Sequence, residues 1–212
     1  MFNEEKHKKI NAYWTIFANS DEPDDEAFAS VYALSVDDVR AYGISLGVDE
    51  DTCQDLIHDI FCHLYMKRRQ YALIRNFMPY LFRSFRNRVL NVCKNNRKYA
   101  DVEVGNLPFA IDVTIMDTMI DDEERERIRL LVENLLEELT PRQREAIYLR
   151  YMLNLDYEEI GRQLDMNVES VRKLVYRAIT SLRKKSGEMG LPVTIPFLFY
   201  LLSRLVPRCG DL

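Results

Sequence analysis

The chain has 212 residues, 47% of them hydrophobic, and a formal net charge of −5, enough to bury one large core or two modest ones. Only seven Gly and seven Pro are present, and apolar residues recur at helical rather than alternating spacing, which excludes a strand-rich architecture and points to an all-α protein. The acidic balance argues against a protein that finds DNA unaided, because affinity for the duplex comes largely from cations that displace phosphate counterions.

In chain order, an N-terminal helix or arm carrying Tyr13, Trp14 and Phe17 runs into an acidic stretch ending at Glu26. Apolar residues at Phe28, Val31, Tyr32, Leu34, Val39 and Tyr42 predict a helix, and a second from about Thr52 to Lys67 turns Cys53, Leu56, Ile57, Ile60, Phe61 and Leu64 inward. After the basic segment MKRRQYALIR comes a helix to about Lys98, with Asn76 as cap, Pro79 in its first turn, and Leu81, Phe82, Phe85, Val89, Leu90 and Val92 as its apolar residues. Periodicity then fades, Gly105 and Pro108 appear, and the charge turns acidic, which marks a linker. A further helix follows from Glu123 to Leu139, and Thr140, Pro141 and Gln143 announce the next one by a capping hydroxyl, a proline at the first helical position and a side chain that reaches back to the cap. The organisation read from this is two small helical domains, 1–98 and 123–186, an acidic linker over 99–122, and an apolar extension over 187–212. Its apolar stretch, roughly from Leu191 to Val206, is broken by Pro196 and Arg204 and is shorter than the ~20 residues a bilayer-spanning helix needs.

Charge is segregated along the chain. Residues 21–59 sum to about −11, 60–100 to about +10 without a single acid, 101–140 to about −9 and 141–186 to about +4. The basic blocks suit nucleic acid and the acidic ones a different partner. Cys53, Cys62, Cys93 and Cys209 show no paired spacing, and no signal-peptide pattern opens the sequence, which points to a reduced cytoplasmic setting. His58, His63, Cys53 and Cys62 lack the spacing of a metal site. No glycine-rich phosphate loop or nucleophile motif is present, so neither an enzyme, a cofactor nor a small-molecule substrate is expected.

The function-bearing pattern lies between Tyr157 and Lys185. YEEIGRQL buries Ile160 and Leu164, with Gly161 leaving room for a neighbouring helix; Asp165 and Met166 turn; Asn167 caps a helix whose inward stripe is Val168, Val171, Val175, Ala178 and Leu182. This is the layout of a helix-turn-helix, whose second helix offers its early polar residues to base edges: here Asn167, Glu169, Ser170, Arg172, Lys173, Tyr176 and Arg177. Arg183, Lys184 and Lys185 suit the DNA backbone or the helix dipole. The same pattern also fits a solvated basic face on an ordinary helical hairpin.

LEELTPRQREAIYLRYMLNLDYEEIGRQLDMNVESVRKLVYRAITSLRKK resembles region 4, the C-terminal promoter-binding domain, of sigma-70-like RNA polymerase sigma factors of the extracytoplasmic-function group. DLIHDIF (Asp55–Phe61) resembles region 2.2 of that family, and YLFRSFRN (Tyr80–Asn87) its region 2.3 to 2.4 helix. The resemblance implies an alternative sigma factor that binds core RNA polymerase and promoter DNA, with an anti-sigma factor as a further candidate partner. It implies that Asp55, His58 and Asp59 face the polymerase, and that Lys67, Arg68, Arg69, Tyr71 and Arg75 lie in a loop that cups a flipped base of the −10 element. Arg83, Arg86, Asn87 and Lys94 would follow the adjoining DNA, while the second helix of the helix-turn-helix reads the −35 element. The acidic linker reads either as a tether or, by resemblance, as a segment directed to the RNA-exit path of the polymerase. Three positions depart from the family pattern: Tyr80 stands where tryptophan is usual, Asn91 where aspartate is common, and Asp165 at a turn usually held by glycine. The rival reading is a stand-alone helix-turn-helix regulator that binds a palindrome as a dimer.

Overall fold

The computed structural model describes residues 2–95, 107–111 and 122–189, and among these every regular element is helical. The chain divides into two compact units, Met1–Val104 and Gly105–Leu212.

The first unit contains α1 (Phe2–Asn19), α2 (Asp25–Ser45), α3 (Glu50–Met66), a 3-10 turn over Arg68–Tyr71 and α4 (Phe77–Asn95). Helices α2 and α3 begin where aspartates supply the cap: the carboxylates of Asp24 and Asp49 accept from the amides of Ala27 and Thr52, satisfying donors that have no partner within the helix. Helix α3 buries the six residues its periodicity marks, Cys53, Leu56, Ile57, Ile60, Phe61 and Leu64. In α2 the expected stripe shifts. Val31, Ser35, Val39 and Tyr42 form the buried line, while Tyr32 stays exposed with its ring edge-on to Phe61, centroids 4.8 Å apart. A serine can sit in that line because its hydroxyl donates to the Val31 carbonyl at 2.6 Å, so no polar atom there goes unpaired. Gly43 lets α2, α3 and α4 meet, since a Cβ there would lie 2.5 Å from Cys53 Sγ and 2.8 Å from Phe85 Cζ.

Helix α1 is an integral part of this core. Trp14 and Phe17 are fully buried, and the Trp14 ring packs on Phe77 with centroids 4.5 Å apart. The same helix clamps the basic loop at both ends. Trp14 Nε1 donates to the Tyr71 carbonyl at 3.3 Å, and Asn11 Oδ1 accepts from the Phe77 amide, the first of α4, at 2.8 Å. Helix α1 has no basic residue in its own last turn. The loop supplies one: Arg68, only 8% exposed, donates to the carbonyls of Phe17 at 3.4 Å, Ser20 at 2.7 Å and Asp21 at 2.9 Å, where carbonyls and helix dipole both favour a cation.

The second unit contains α5 (Asp122–Glu137), α6 (Pro141–Ile147) continued by a π-helical turn over Tyr148–Met152, α7 (Tyr157–Leu164) and α8 (Val168–Glu188). The reciprocal cap expected at Thr140 and Gln143 is present, the Gln143 amide donating to Thr140 Oγ1 at 3.3 Å and the Thr140 amide to Gln143 Oε1 at 3.0 Å. Val132, Leu135, Leu136, Ile147, Leu149, Ile160, Leu164, Val171, Val175, Ala178 and Leu182 form its core. Within the stretch read from sequence as linker, Leu107 and Phe109 are buried, and Phe109 meets Tyr148 edge-on at 5.4 Å. The apolar C-terminal stretch beyond Met189 lies outside the described residues.

The Arg68 cap generates a stability prediction. Replacing it with Met keeps most of its bulk but removes three charge-assisted bonds, and should cost about 2–3 kcal/mol of unfolding free energy. Urea titration of the full chain measures this; a loss within about 0.5 kcal/mol, the range of ordinary surface changes, contradicts the structural role.

Candidate nucleic-acid interface

Helices α7 and α8 meet through a two-residue turn whose geometry follows from three residues. Asp165 closes α7 in the left-handed region, φ 54° and ψ 52°, a conformation that costs an L-residue energy and that aspartate tolerates better than most. The Met166 amide then donates to the Gly161 carbonyl at 2.9 Å. Asn167 caps α8, its side chain accepting from the Ser170 amide at 2.8 Å. The space at Gly161, read from sequence as room for a neighbouring helix, is taken by the turn itself: a Cβ there would lie 2.7 Å from the Met166 carbonyl oxygen.

Sequence reasoning missed the side chains that brace this motif. Asp156 and Glu159 cap α7 reciprocally: the Glu159 amide donates to Asp156 Oδ1 at 2.7 Å and the Asp156 amide to Glu159 Oε2 at 2.9 Å. The four-residue spacing of that capping box is readable in the chain. Arg142 on α6 donates to the Leu164 carbonyl at 2.9 Å, and Arg150 to the Leu155 carbonyl at 2.7 Å. Both side chains reach across loops, and no periodicity announces such contacts.

On α8 the inward stripe is Val171, Val175, Ala178 and Leu182, with Val168 half-buried at its start. The opposite face presents Asn167, Glu169, Arg172, Lys173, Tyr176 and Arg177 to solvent, with Ser170 half-buried among them. Tyr176 is 69% exposed, a large ring held in water. Lys173 pairs with Glu169 at 2.6 Å, while Arg172 lies over the Tyr157 ring, 5.6 Å from its centroid. Farther along, Lys185 pairs with Glu138 at 2.7 Å, and that hydrogen bond raises its pKa.

In the first unit the basic loop brings Lys67, Arg69 and Arg75 to the surface, and Arg83, Asn87 and Lys94 stand exposed on α4. Two of the expected DNA contacts do not reach that surface. Arg68 is turned inward to the end of α1, and Arg86 is 7% exposed, on the side of α4 that also buries Phe82, Phe85 and Val89; both fall at positions where the geometry of the element points to the core. Tyr71, half-buried, has its hydroxyl 2.9 Å from His63 Nε2 and its ring 5.5 Å from Tyr80. Burial is the main cause that raises the Tyr80 pKa. Phe82 and Phe85 are fully buried, which makes them core rather than base-stacking rings.

Asp55, His58 and Asp59 form an exposed stripe on α3, with His58 Nε2 3.4 Å from Cys62 Sγ on the next turn. Burial pushes the Cys53 thiol up to about 12 and raises that of Cys93, so both remain protonated. Among the described residues no three His, Cys, Asp or Glu side chains converge as a metal site, and no helix is long and apolar enough to cross a membrane.

A family model for sigma-70, region 4, matches residues 129–182, the greater part of α5 through most of α8. RNA polymerase sigma factor SigA2 of Synechococcus elongatus is 32% identical to this chain in a match covering 40% of the chain and 32% of that protein. ECF RNA polymerase sigma factor SigM of Bacillus subtilis is 22% identical, over 70% of this chain and 88% of its own length. The chain thus spans about a third of the first relative and most of the second. Among solved structures, CnrH in complex with the cytosolic domain of CnrY shares the fold with a TM-score of 0.54 at 18% identity, covering 85% of this chain and 98% of that one. Sigma factor RpoE in complex with the anti-sigma factor NepR, from Bartonella quintana, shares it with a TM-score of 0.56 at 20% identity, covering 79% and 99%.

The turn yields a paired prediction. Gly161→Ala forces a methyl against a backbone carbonyl and should destabilise the second unit by about 1–3 kcal/mol. Asp165→Gly relieves the left-handed residue and should stabilise by up to about 1 kcal/mol, the relief being partly offset by the greater chain entropy of glycine when unfolded. Thermal unfolding of the two variants beside the parent chain reads both, and shifts of the same sign contradict this account of the turn.

Proposed function

We propose that this chain, a sigma-70-like sigma factor of the extracytoplasmic-function group, acts as an alternative sigma factor that binds core RNA polymerase and directs promoter-specific initiation. The observation that carries the reading is the polar face of α8, Glu169 to Arg177, displayed by a short braced turn within the residues matched by the region 4 model. In this reading α8 enters the major groove of the −35 element. The loop cations Lys67, Arg69 and Arg75, with Tyr71 at their centre, hold the melted −10 strand, and Arg83, Asn87 and Lys94 follow the adjoining backbone. Extrusion of a base costs a few kcal/mol, so a loop already clamped by α1 suits the task. Asp55, His58 and Asp59 provide the polymerase-facing stripe.

The division of labour is accordingly residues 1–98 for polymerase and −10 DNA, 99–122 as a linker in which Phe109 packs on Tyr148 of the second unit, and 123–186 for −35 DNA. Sigma factors of this family act without catalysis, and this chain makes no covalent step; the polymerase it serves places it in the cytoplasm. The RpoE structure is a complex with an anti-sigma factor, which supports an anti-sigma factor as a partner here too. A stand-alone regulator is not favoured: a net charge of −5 gives little unaided affinity for duplex DNA.

Run-off transcription from genomic promoter fragments, with core polymerase and with or without the chain, tests the reading. Transcripts that depend on the chain and start at defined positions are expected. No binding to core, combined with a shift of duplex DNA by the chain alone, would hand the function to the independent regulator. Within the working holoenzyme, Arg177→Ala should cost about 1–3 kcal/mol in discrimination between promoters differing at one −35 base pair. Equal loss on every promoter makes Arg177 a phosphate contact instead.

A further inference from the structure

Two neighbouring cations on α8 are held in different ways. Lys173 is paired with Glu169 one turn back, Nζ to Oε1 2.6 Å, an exposed ion pair within its own helix that a phosphate would have to compete with. No carboxylate pairs with Arg172 among the described residues; its guanidinium carbon lies 5.6 Å from the centroid of the Tyr157 ring. A guanidinium stacked on a ring uses its flat face, whereas its N–H donors lie in the plane and stay available.

Tyr157 is well placed to hold something still. It is the first residue of α7 and is half-buried. The residue before it is locked by the reciprocal bonds of Asp156 and Glu159, 2.7 Å and 2.9 Å. A second guanidinium, that of Arg150, lies 4.9 Å from the same ring centroid and is itself anchored to the Leu155 carbonyl at 2.7 Å. Backbone, Arg150, ring and Arg172 therefore form a chain of contacts running from the loop before α7 to the exposed face of α8.

We propose that Tyr157 is a positioning residue that aims Arg172 at a guanine edge of the −35 element, so that part of the promoter preference is set by a side chain on the first helix of the motif. The proposal rests on the reading of α8 as recognition helix and adds how one of its contacts is oriented. An arginine without this ring would sample many rotamers and lose that freedom on binding. Restrained by the ring, it has fewer rotamers to lose on presenting two parallel N–H groups, the geometry that reads guanine O6 and N7.

The test uses holoenzyme made from core polymerase and the full chain, selecting from a duplex library randomised across the −35 element, with selected DNA sequenced. Arg172→Ala should flatten the preference at one base pair. Tyr157→Leu should flatten the same base pair by about 2- to 5-fold, the equivalent of one exposed cation–π contact, and Tyr157→Phe should restore it. Adding Tyr157→Leu to Arg172→Ala should produce no further change there. Tyr157→Met, a second non-aromatic residue of similar bulk, is run alongside, and the thermal transition of each variant is recorded. The proposal fails if the non-aromatic variants weaken selection at every position alike, if they leave the Arg172 base pair untouched, or if their effect adds to that of Arg172→Ala. A parent holoenzyme that selects no sequence at all removes the function reading and this proposal together, an outcome distinct from a parent that selects normally while Tyr157→Leu changes nothing.

Discussion

The Met166 carbonyl oxygen occupies the space that a Cβ at position 161 would need, 2.7 Å from where that atom would stand. Because this contact joins the second turn of α7 to the last residue before the Asn167 cap, it governs how sharply the chain can reverse between the two helices. The left-handed Asp165 and the hydrogen bond from Met166 to Gly161 complete the reversal, and the Asn167 cap starts α8 one residue later. Everything presented on α8 inherits its direction from this turn. Arg142 adds a strut from α6 to the last carbonyl of α7, so the reversal is braced from outside as well as within.

Arginines divide between scaffold and surface. Arg68, Arg142, Arg144 and Arg150 each donate to backbone carbonyls at the ends of helices or in the loops between them. There a cation meets both unpaired acceptors and the negative end of a helix dipole, and a planar group with several donors satisfies more than one carbonyl where a lysine would satisfy fewer. Those guanidiniums hold shape, although the buried Nε of Arg144 has no hydrogen-bond partner among the described residues. Exposed cations such as Lys67 and Arg75 in the loop, Arg83 and Lys94 on α4, and Arg172 and Arg177 on α8 have donors to offer a phosphate or a base, while Arg69 is exposed but shares the Asp21 carbonyl with Arg68 at 3.0 Å. Counting basic residues along the sequence overstates the second group, because it cannot separate it from the first.

That distinction also explains what could be read from sequence. Apolar periodicity located the helices and much of the core: α3 buries the whole stripe its spacing marks, α8 all of its stripe but the half-buried Val168, and the caps at Thr140 and Asn167 follow from residue types at fixed offsets, whereas Leu90 and Val92 of α4 stay half-buried. Such signals are local, each spanning a turn or two. Misreadings arose where a side chain finds a partner that apolar periodicity does not mark. Arg68 lies in the most basic stretch of the chain yet bonds to residues about fifty positions earlier; Ser35 enters the core because its hydroxyl finds a carbonyl one turn back. Tyr157 looked like an ordinary helix start, and only the folded chain brings it to Arg150 and Arg172.

The electrostatics of α8 bear on why such a protein would work inside a larger assembly. Its exposed face carries Arg172, Lys173 and Arg177, but Lys173 is paired with Glu169 and the first turn of α7 brings Glu158 and Glu159 close in sequence to the turn. With each neutralised phosphate contributing about 0.9 to the salt slope of duplex binding, so few free cations give a weak contact with a shallow salt dependence on their own. In the proposed reading the basic loop of the first unit would be a second contact of the same kind, with a different part of the DNA. Two weak sites become effective when a common body holds both at the right spacing, because the second binding event is then intramolecular. Core polymerase would supply that body, and the low intrinsic affinity of each site would keep the free chain from being lost to the rest of the genome.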